Sequence, residues 1–311
     1  MKPHIAIIGS CTTDVIIEIP HLPEKEEDIH IRTQTFALGG CAGNAACMLD
    51  LFHVDYHLCT PIGTGIYADF VRKQLKKRHQ TPFFPDSEEE NGCCYCFVED
   101  DGERSFLALH GAEYHFQKQW FDQLAQEEID TVYICGLEIE EESGIYIIDY
   151  LKAHPDIKIY FACGPRIMHI EQEKLDTLFS LSCILHLNKQ EALALSGKDN
   201  IEDAAKALYA KTHQSVIITL GKDGSYLYEN AHGIYLPVQA KTPVDTIGAG
   251  DGHIGSIIAL TSLGYDLPSA IQIANHISGA IISKKGACLT SDEFDACMKE
   301  LSLFQFCSIN I

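Results

Sequence analysis

The feature that most narrows the fold is a change of rhythm at Thr131. From there, short apolar runs at Thr131–Cys135, Lys158–Cys163, Ile184–Asn188 and Ser215–Leu220 alternate with stretches of helical period at Ser143–Ala153, Ile201–Thr212 and Gly250–Leu263. Strands separated by a helix cannot close as hairpins. They pair in parallel, and the crossover helices cover both faces of the sheet. His4–Gly9, HIAIIG, has the continuous apolar character of a buried first strand in such a sheet.

The first 110 residues read differently. Val15–Ile19 and Ile29–Thr35 are β-rich and flank the polar stretch His21–Asp28, and Gly92–Val98 and Arg104–Leu109 flank an Asp101-Gly102 turn signal. Ala45–Phe52 and Ala68–His79 read as helices around a strand at Tyr56–Thr60. The expectation is one large α/β core built from residues 1–13, 39–90 and 111–311. Two β insertions, 14–38 and 91–110, form a separate small sheet, because an isolated hairpin is marginal alone.

A formal net charge of −21 disfavours nucleic acid and anionic membrane surfaces as partners. An anionic ligand therefore needs a locally positive site, such as a helix N-terminus or a metal ion. No apolar run reaches the ~18 residues of a membrane span. The opening MKPHIAIIGS reads as a strand rather than a leader peptide. The thirteen cysteines read as scattered thiols of a reducing cytoplasm, since Cys93, Cys94 and Cys96 lack a partner pair at zinc spacing.

The densest chemical signal is Val244-Asp-Thr-Ile-Gly-Ala-Gly-Asp-Gly-His-Ile-Gly255. Gly248, Ala249 and Gly250 precede a helix that starts near Asp251. Unpaired amides and the positive end of the dipole gather at such a start, and small residues admit a phosphate to them. Asp251 at the same mouth is placed to accept the proton of an attacking hydroxyl. Composition alone leaves a plain Asp N-cap behind a glycine turn equally open. A dinucleotide fingerprint is disfavoured because His253 stands where its third Gly belongs, and no Walker-type string occurs.

That segment resembles the D-T-x-G-A-G-D signature of the ribokinase-like, or PfkB-type, carbohydrate kinases. Five further segments are similar to family motifs, in the family's order: Gly9-Ser10-x-x-x-Asp14, Gly39-Gly40-Cys-Ala-Gly-Asn44, Asn188-Lys-Gln-Glu191, Thr219-Leu-Gly221-Lys-Asp-Gly224, and Ala274-Asn275 with Lys285-Gly286-Ala287. The resemblance implies a three-layer α/β/α sandwich, a mostly parallel central sheet and a small β-sheet lid. It implies transfer of the γ-phosphoryl group of ATP to a hydroxyl, with Asp251 as base and Gly248, Ala249 and Gly250 as anion hole. Asp14, Gly39, Gly40, Asn44, Glu138 and Arg166 would hold the acceptor. Asn188, Thr219, Gly221, Gly224 and Asn275 would line the nucleotide site, with Glu191 acting on Mg2+ through water. Asp245, Ile247, Ile281, Lys284, Gly286 and Thr290 would surround a monovalent cation such as K+. The insertions would close over the substrate and pair in a homodimer.

Three positions depart from the pattern: Thr12 in place of Asn, Ala162 in place of Asp and His253 in place of Phe. A kinase for a small sugar is the leading expectation. A nucleoside or pseudouridine kinase of the same fold, and a regulator that binds sugar or nucleotide without turnover, are the alternatives. A vitamin kinase fits the Gly39-Gly40-x-x-x-Asn44 loop less well.

Overall fold

The computed structural model describes residues 4–100 and 103–308. Among the described residues twelve strands run in chain order: β1 (Ile5–Ile8), β2 (Thr12–Glu18), β3 (Thr33–Gly39), β4 (His57–Cys59), β5 (Cys93–Val98), β6 (Arg104–Leu109), β7 (Thr131–Cys135), β8 (Lys158–Ala162), β9 (Ile184–Asn188), β10 (Val216–Thr219), β11 (Ser225–Glu229) and β12 (His232–Leu236). Eight form one sheet in the order β12-β11-β10-β9-β8-β7-β1-β4. It is parallel from β4 to β10 and antiparallel only at β11 and β12.

The parallel strands are apolar throughout because both faces are covered. Ile7, Ala162, Ile184 and Ile217 pack into a layer with the helices Cys41–Leu51, Ala249–Ser262 and Leu267–Ile282. Ala6, Ile8, Phe161, Leu185 and Ile218 pack into the opposite layer with Ile147, Leu151 and Leu208 of the helices Gly144–Ala153 and Ile201–Thr212. This is the expected α/β/α sandwich. The helices Cys41–Leu51 and Ala249–Ser262 cross so closely that a Cβ on Gly255 would lie 2.5 Å from the carbonyl oxygen of Ala45. That approach joins the first helix to the motif helix.

The other four strands form the small sheet, β3-β2-β5-β6, with a parallel β2–β5 pair between two antiparallel pairs. The Asp101-Gly102 turn lies outside the described residues; across it the Glu99 amide donates to the Glu103 carbonyl at 3.0 Å.

One expectation needs correction: the helix read at Ala45–Phe52 starts earlier, at Cys41, directly after β3 ends at Gly39 and Gly40 caps it. The β11–β12 hairpin was not anticipated. Its turn, Asn230-Ala231, has both residues at positive φ (51° and 62°), and Ala stands where this turn type favours Gly.

Candidate active site

The residues expected to hold the acceptor are organised by the junction of β3 with the helix Cys41–Leu51. Gly40 caps this helix at φ 87°, and a Cβ there would lie 2.3 Å from the Ser10 carbonyl oxygen. A Cβ on Gly39 would sit 2.2 Å from Oδ2 of Asp14, so the missing side chain is what lets the Asp14 carboxylate lie against the loop. One turn into the helix, Asn44 Nδ2 donates to Asp251 Oδ2 at 2.9 Å, and Asn44 Oδ1 has no partner.

Glu138 enters from the short helix Gly136–Glu140 and is fully buried. Its Oε1 accepts the Ser10 amide at 2.8 Å, and its Oε2 has no hydrogen-bond partner. Burial pushes its carboxyl up to about 7, against the Ser10 hydrogen bond, and the charge of Asp251 adds to the rise. Asp14 is pushed up to about 6, chiefly by burial, with Thr12 opposing and Asp251 adding. Asp251 is raised by burial and held back by Asn44 and Cys41. Three carboxylates thus share one electrostatic environment.

The helix Ala249–Ser262 begins at Gly248, which caps it at φ 73° with no side-chain hydrogen bond. Asp251 is therefore not the N-cap; it sits in the first turn. A Cβ on Gly248 would lie 2.4 Å from the Ala287 Cβ, while one on Gly250 would meet nothing within 4 Å. The Gly252 amide turns back to Gly248 O at 2.8 Å. The amides of Gly250 and Asp251 precede it, in the turn where helix geometry leaves N–H groups unpaired.

On the far side of that turn lies a cavity of about 350 Å3 lined by Thr219, Gly221, Gly224, Lys241, Ala249, Gly250, His253 and Asn275, among others. Four of the five expected nucleotide-site residues meet there. Asn188 is not among its lining residues. Its side chain closes a reciprocal capping box with Glu191: Asn188 Oδ1 accepts the Glu191 amide at 2.9 Å, and Glu191 Oε2 accepts the Asn188 amide at 2.9 Å. Asn188 Nδ2 also donates to Glu191 Oε1 at 2.7 Å. Burial and the charge of Asp251 raise the Glu191 carboxyl, against the Asn188 amide.

Behind the cavity runs a buried polar chain that the sequence did not announce. His186 on β9 and His253 meet at 2.9 Å, and His253 Nε2 meets Asn275 Oδ1 at 3.0 Å. Asn275 Nδ2 donates to Leu236 O at 2.9 Å. A carbonyl only accepts, so this last bond fixes the amide. Asn275 Oδ1 then faces His253, whose Nε2 must carry the proton. His253 Nδ1 is left as acceptor and His186 Nε2 as donor. Burial drives His253 down to about 4 and His186 well below its usual range, so both stay neutral. Ala162, where the family pattern has Asp, is the direct β-sheet neighbour of His186.

Two groups of expected residues find internal partners. Arg166 is exposed and clasped by Glu140 through its Nε, at 2.7 Å, and its Nη2. Around Asp245, Oδ1 accepts Ile247 N at 2.9 Å and Oδ2 accepts Gly286 N at 3.1 Å, and Oδ1 is also ion-paired with Arg104. Burial alone would raise Asp245; the Ile247 amide, Arg104 and the Gly286 amide outweigh it and hold it below the usual range. Lys284 and the Thr290 amide are both bound by Glu293, and Ile281 is buried against Gly252. Sequence reasoning missed Cys41 beside Asp251 and the target of Arg104; no local signal in the chain points to either.

The profile described as pfkB family carbohydrate kinase matches residues 2–293. An uncharacterized sugar kinase of Escherichia coli, YegV, is 28% identical over 291 residues, covering 92% of this chain and 90% of that protein. The ribokinase of Staphylococcus aureus is 25% identical over 297 residues, covering 92% and 96%. In structure, the chain is similar to ribokinase from Thermotoga maritima, with a TM-score of 0.84 at 22% identity over 95% of this chain and 99% of that one. It is similar also to a Burkholderia thailandensis nucleoside kinase solved with inosine, with a TM-score of 0.75 at 19% identity over 94% and 95%. The chain belongs to the PfkB family of carbohydrate kinases, and it is a phosphotransferase acting on a hydroxyl of a sugar or nucleoside.

Proposed function

We propose that the chain transfers the γ-phosphoryl group of ATP to a hydroxyl of an uncharged polyol, a free sugar or sugar-like molecule, with Asp251 as base. The observation that carries this reading is the 2.9 Å bond from Asn44 to Asp251. It ties the acceptor residues to the helix mouth, so a hydroxyl held by one can be deprotonated by the other. Asp251 accepts the proton. Asp14 and Glu138 accept hydrogen bonds from neighbouring hydroxyls, and Asn44 offers its free Oδ1 as well. The small residues Gly248, Ala249 and Gly250 admit the transferred group to the open amides of this turn, which stabilise the charge that grows on it. Residues 14–38 and 91–110 act as a lid that keeps water, a competing acceptor, from the site.

The electrostatics favour a neutral acceptor. Asp14, Glu138 and Asp251 repel a carboxylate or phosphate, and Arg104 and Arg166 are engaged by Asp245 and Glu140. Phe106 favours a second reading. It is paired in register with Cys96, which pairs with Ile16, so it shares the sheet face of Asp14 and is 54% exposed. An exposed ring beside the hydroxyl site suits the base of a nucleoside.

ATP fits the cavity that joins Ala249 and Gly250 to Asn275, where Lys222 supplies positive lining to an acidic chain and Lys241 lies alongside, paired with Glu300. Magnesium fits Glu191: each carboxylate oxygen accepts from Asn188 and keeps a further lone pair for a water of the ion. Bound with the nucleotide, the ion would supply neutralisation of the phosphate oxygens. A second copy would pair through the small sheet. β6 is an edge strand exposing Phe106 on one face and Leu107 and Leu109 on the other, and an uncovered apolar edge invites pairing.

ADP release is the test, measured across neutral sugars, nucleosides and sugar acids, for the wild type and Asp251→Asn. Turnover with a neutral acceptor, reduced about 10²–10⁴-fold in the variant with ATP affinity retained, is expected. Preference for a sugar acid would overturn the charge argument. Tight acceptor binding with no ADP released by the wild type would make the chain a regulator.

A further inference from the structure

The pocket that the family pattern gives to a monovalent cation does not suit one here. Its carboxylate, Asp245, is 6% exposed and already accepts the amides of Ile247 and Gly286 together with the guanidinium of Arg104. Of the other residues expected around the ion, Thr290 spends its hydroxyl oxygen on the Glu293 amide at 3.3 Å, and the Lys284 ammonium, a second positive charge, is paired with Glu293. A second cation on Asp245 would sit within a few ångströms of the guanidinium and be repelled by it. The positive charge is present, but it belongs to the protein.

We infer that Arg104 takes the place of the monovalent cation at Asp245, so that this kinase carries the charge of that pocket on its own small sheet. This rests on the kinase reading above only for what the charge does, not for where it sits. The geometry of the sheet explains how it arrives. Val98 pairs with Glu18 on one side and Arg104 on the other, so these two occupy one row of the sheet. Asp14, Ile16 and Glu18 alternate along β2, so that row lies on the face of Asp14. Both charged members of the row reach across to the loops flanking the Gly248 turn: Arg104 to Asp245, and Glu18 to Lys285 at 3.2 Å. Asp245 in turn holds Ile247 and Gly286 by their amides, and the Ala287 side chain packs where a Cβ on Gly248 would go. Arg104 is therefore a positioning residue. It acts through Asp245 on the turn whose amides face the transferred group, and its charge reaches that turn when the small sheet lies over the core.

Arginine makes a better resident than a bound ion in one respect. Its planar fork stays charged at any working pH and needs no ion from solution. It also makes the pocket's charge depend on the position of the sheet, which a freely exchanging ion would not.

The experiment compares wild type, Arg104→Gln and Arg104→Lys in potassium chloride and in N-methylglucamine chloride at equal ionic strength, reading ADP formation and the thermal midpoint. The wild type should differ less than twofold in rate between the salts and show no potassium-specific rise in midpoint. Arg104→Gln should lose at least fivefold in rate without potassium and recover most of it with potassium, with a potassium-specific midpoint rise. Arg104→Lys should stay potassium-independent, and it decides the case should the glutamine variant fail to fold. Several-fold activation or stabilisation of the wild type by potassium overturns the inference, as does a folded Arg104→Gln with no potassium response. The midpoint needs no turnover. If no acceptor is phosphorylated but the midpoints follow this pattern, the kinase reading fails and the cation assignment stands.

Discussion

Asp245 and Glu138 are both buried carboxylates in the same cleft, at 6% and 0% exposure, and their surroundings treat them in opposite ways. Asp245 has two backbone amides and a guanidinium, and it is held below the usual carboxylate range. Glu138 has one amide and an oxygen with no partner, and it is pushed up to about 7. Asp14, raised to about 6, belongs with Glu138. A saturated carboxylate is finished; it organises the loop around it. An unsaturated one is held at a cost that a proton or an incoming hydrogen-bond donor relieves. On the proposed reading, the distinction separates acceptor-binding carboxylates from scaffold ones.

The largest effect should fall on the unsaturated side. Asp14→Ala removes an acceptor from the polyol site and leaves the Gly39 loop without its neighbour. The kcat/KM for the acceptor should drop by at least about 100-fold, or about 2.7 kcal/mol, with ATP affinity within about threefold of wild type. Steady-state kinetics with each substrate varied in turn checks this. An unchanged acceptor KM and kcat would remove Asp14 from the site.

On the saturated side the effect is on stability. Asp245→Asn leaves Arg104 without its charge partner. Breaking a fully buried pair costs ~3–5 kcal/mol; with Arg104 at 18% side-chain exposure, roughly 2–3 kcal/mol is expected at neutral pH. The lowered carboxyl gives stability that is complete above its unfolded value near 3.8 and fades as pH falls through the folded one. The difference between variant and wild type in urea unfolding should therefore shrink on acidification below pH 4.

Opposite signs are expected for Glu138→Gln and Asp14→Asn. Each wild-type carboxyl is raised, so the folded protein holds its proton to higher pH than the unfolded chain does. Stability falls as pH rises from about 4.5 to about 7 for Glu138, and from about 3.8 to about 6 for Asp14. Above pH 7 each amide variant should be more stable than wild type by up to roughly 3 kcal/mol, and the gain should vanish near pH 4. Thermal midpoints measured from pH 4 to 8 test the sign. A loss of stability at pH 8 in both would mean that the two carboxylates are scaffold, and the contrast with Asp245 would collapse.

Much of this cleft was legible in the chain because it is local. The Gly39-Gly40 step, the small residues before Asp251 and the Asn188-x-x-Glu191 spacing each act within one turn of backbone. The last of these also shows how a local signal can carry two meanings. Asn-x-x-Glu is a capping-box pattern, and the structure uses both side chains for that cap. What could not be read depends on register and on contacts far apart in sequence. Arg104 meets Asp245 across 141 positions, through a sheet whose rows are set only when two insertions pair. His186 sits in ILHLN, where a lone histidine in an apolar strand reads as core. Its neighbour Ala162 and its partner His253, two of the three departures noted in the sequence, come together only in the folded chain.

That chain of His186, His253 and Asn275 offers the smallest and sharpest effect. Because Leu236 O can only accept, every proton along the chain is assigned: Nε2–H on both histidines, with both rings neutral. Nitrogen-15 spectra should show His253 in the Nε2–H form and not titrating between pH 5.5 and 8, since burial has lowered it to about 4. His253→Phe, the residue of the family pattern, would leave the His186 donor without its acceptor and Asn275 Oδ1 with Ser225 as its remaining donor. The expected cost is about 1 kcal/mol of stability and a several-fold rise in ATP KM, with kcat within about twofold. A merely packed histidine would give the stability loss without the KM shift. A His253 that titrates near 6.5, or carries its proton on Nδ1, would break this assignment, because Asn275 could then not serve both His253 and Leu236 O.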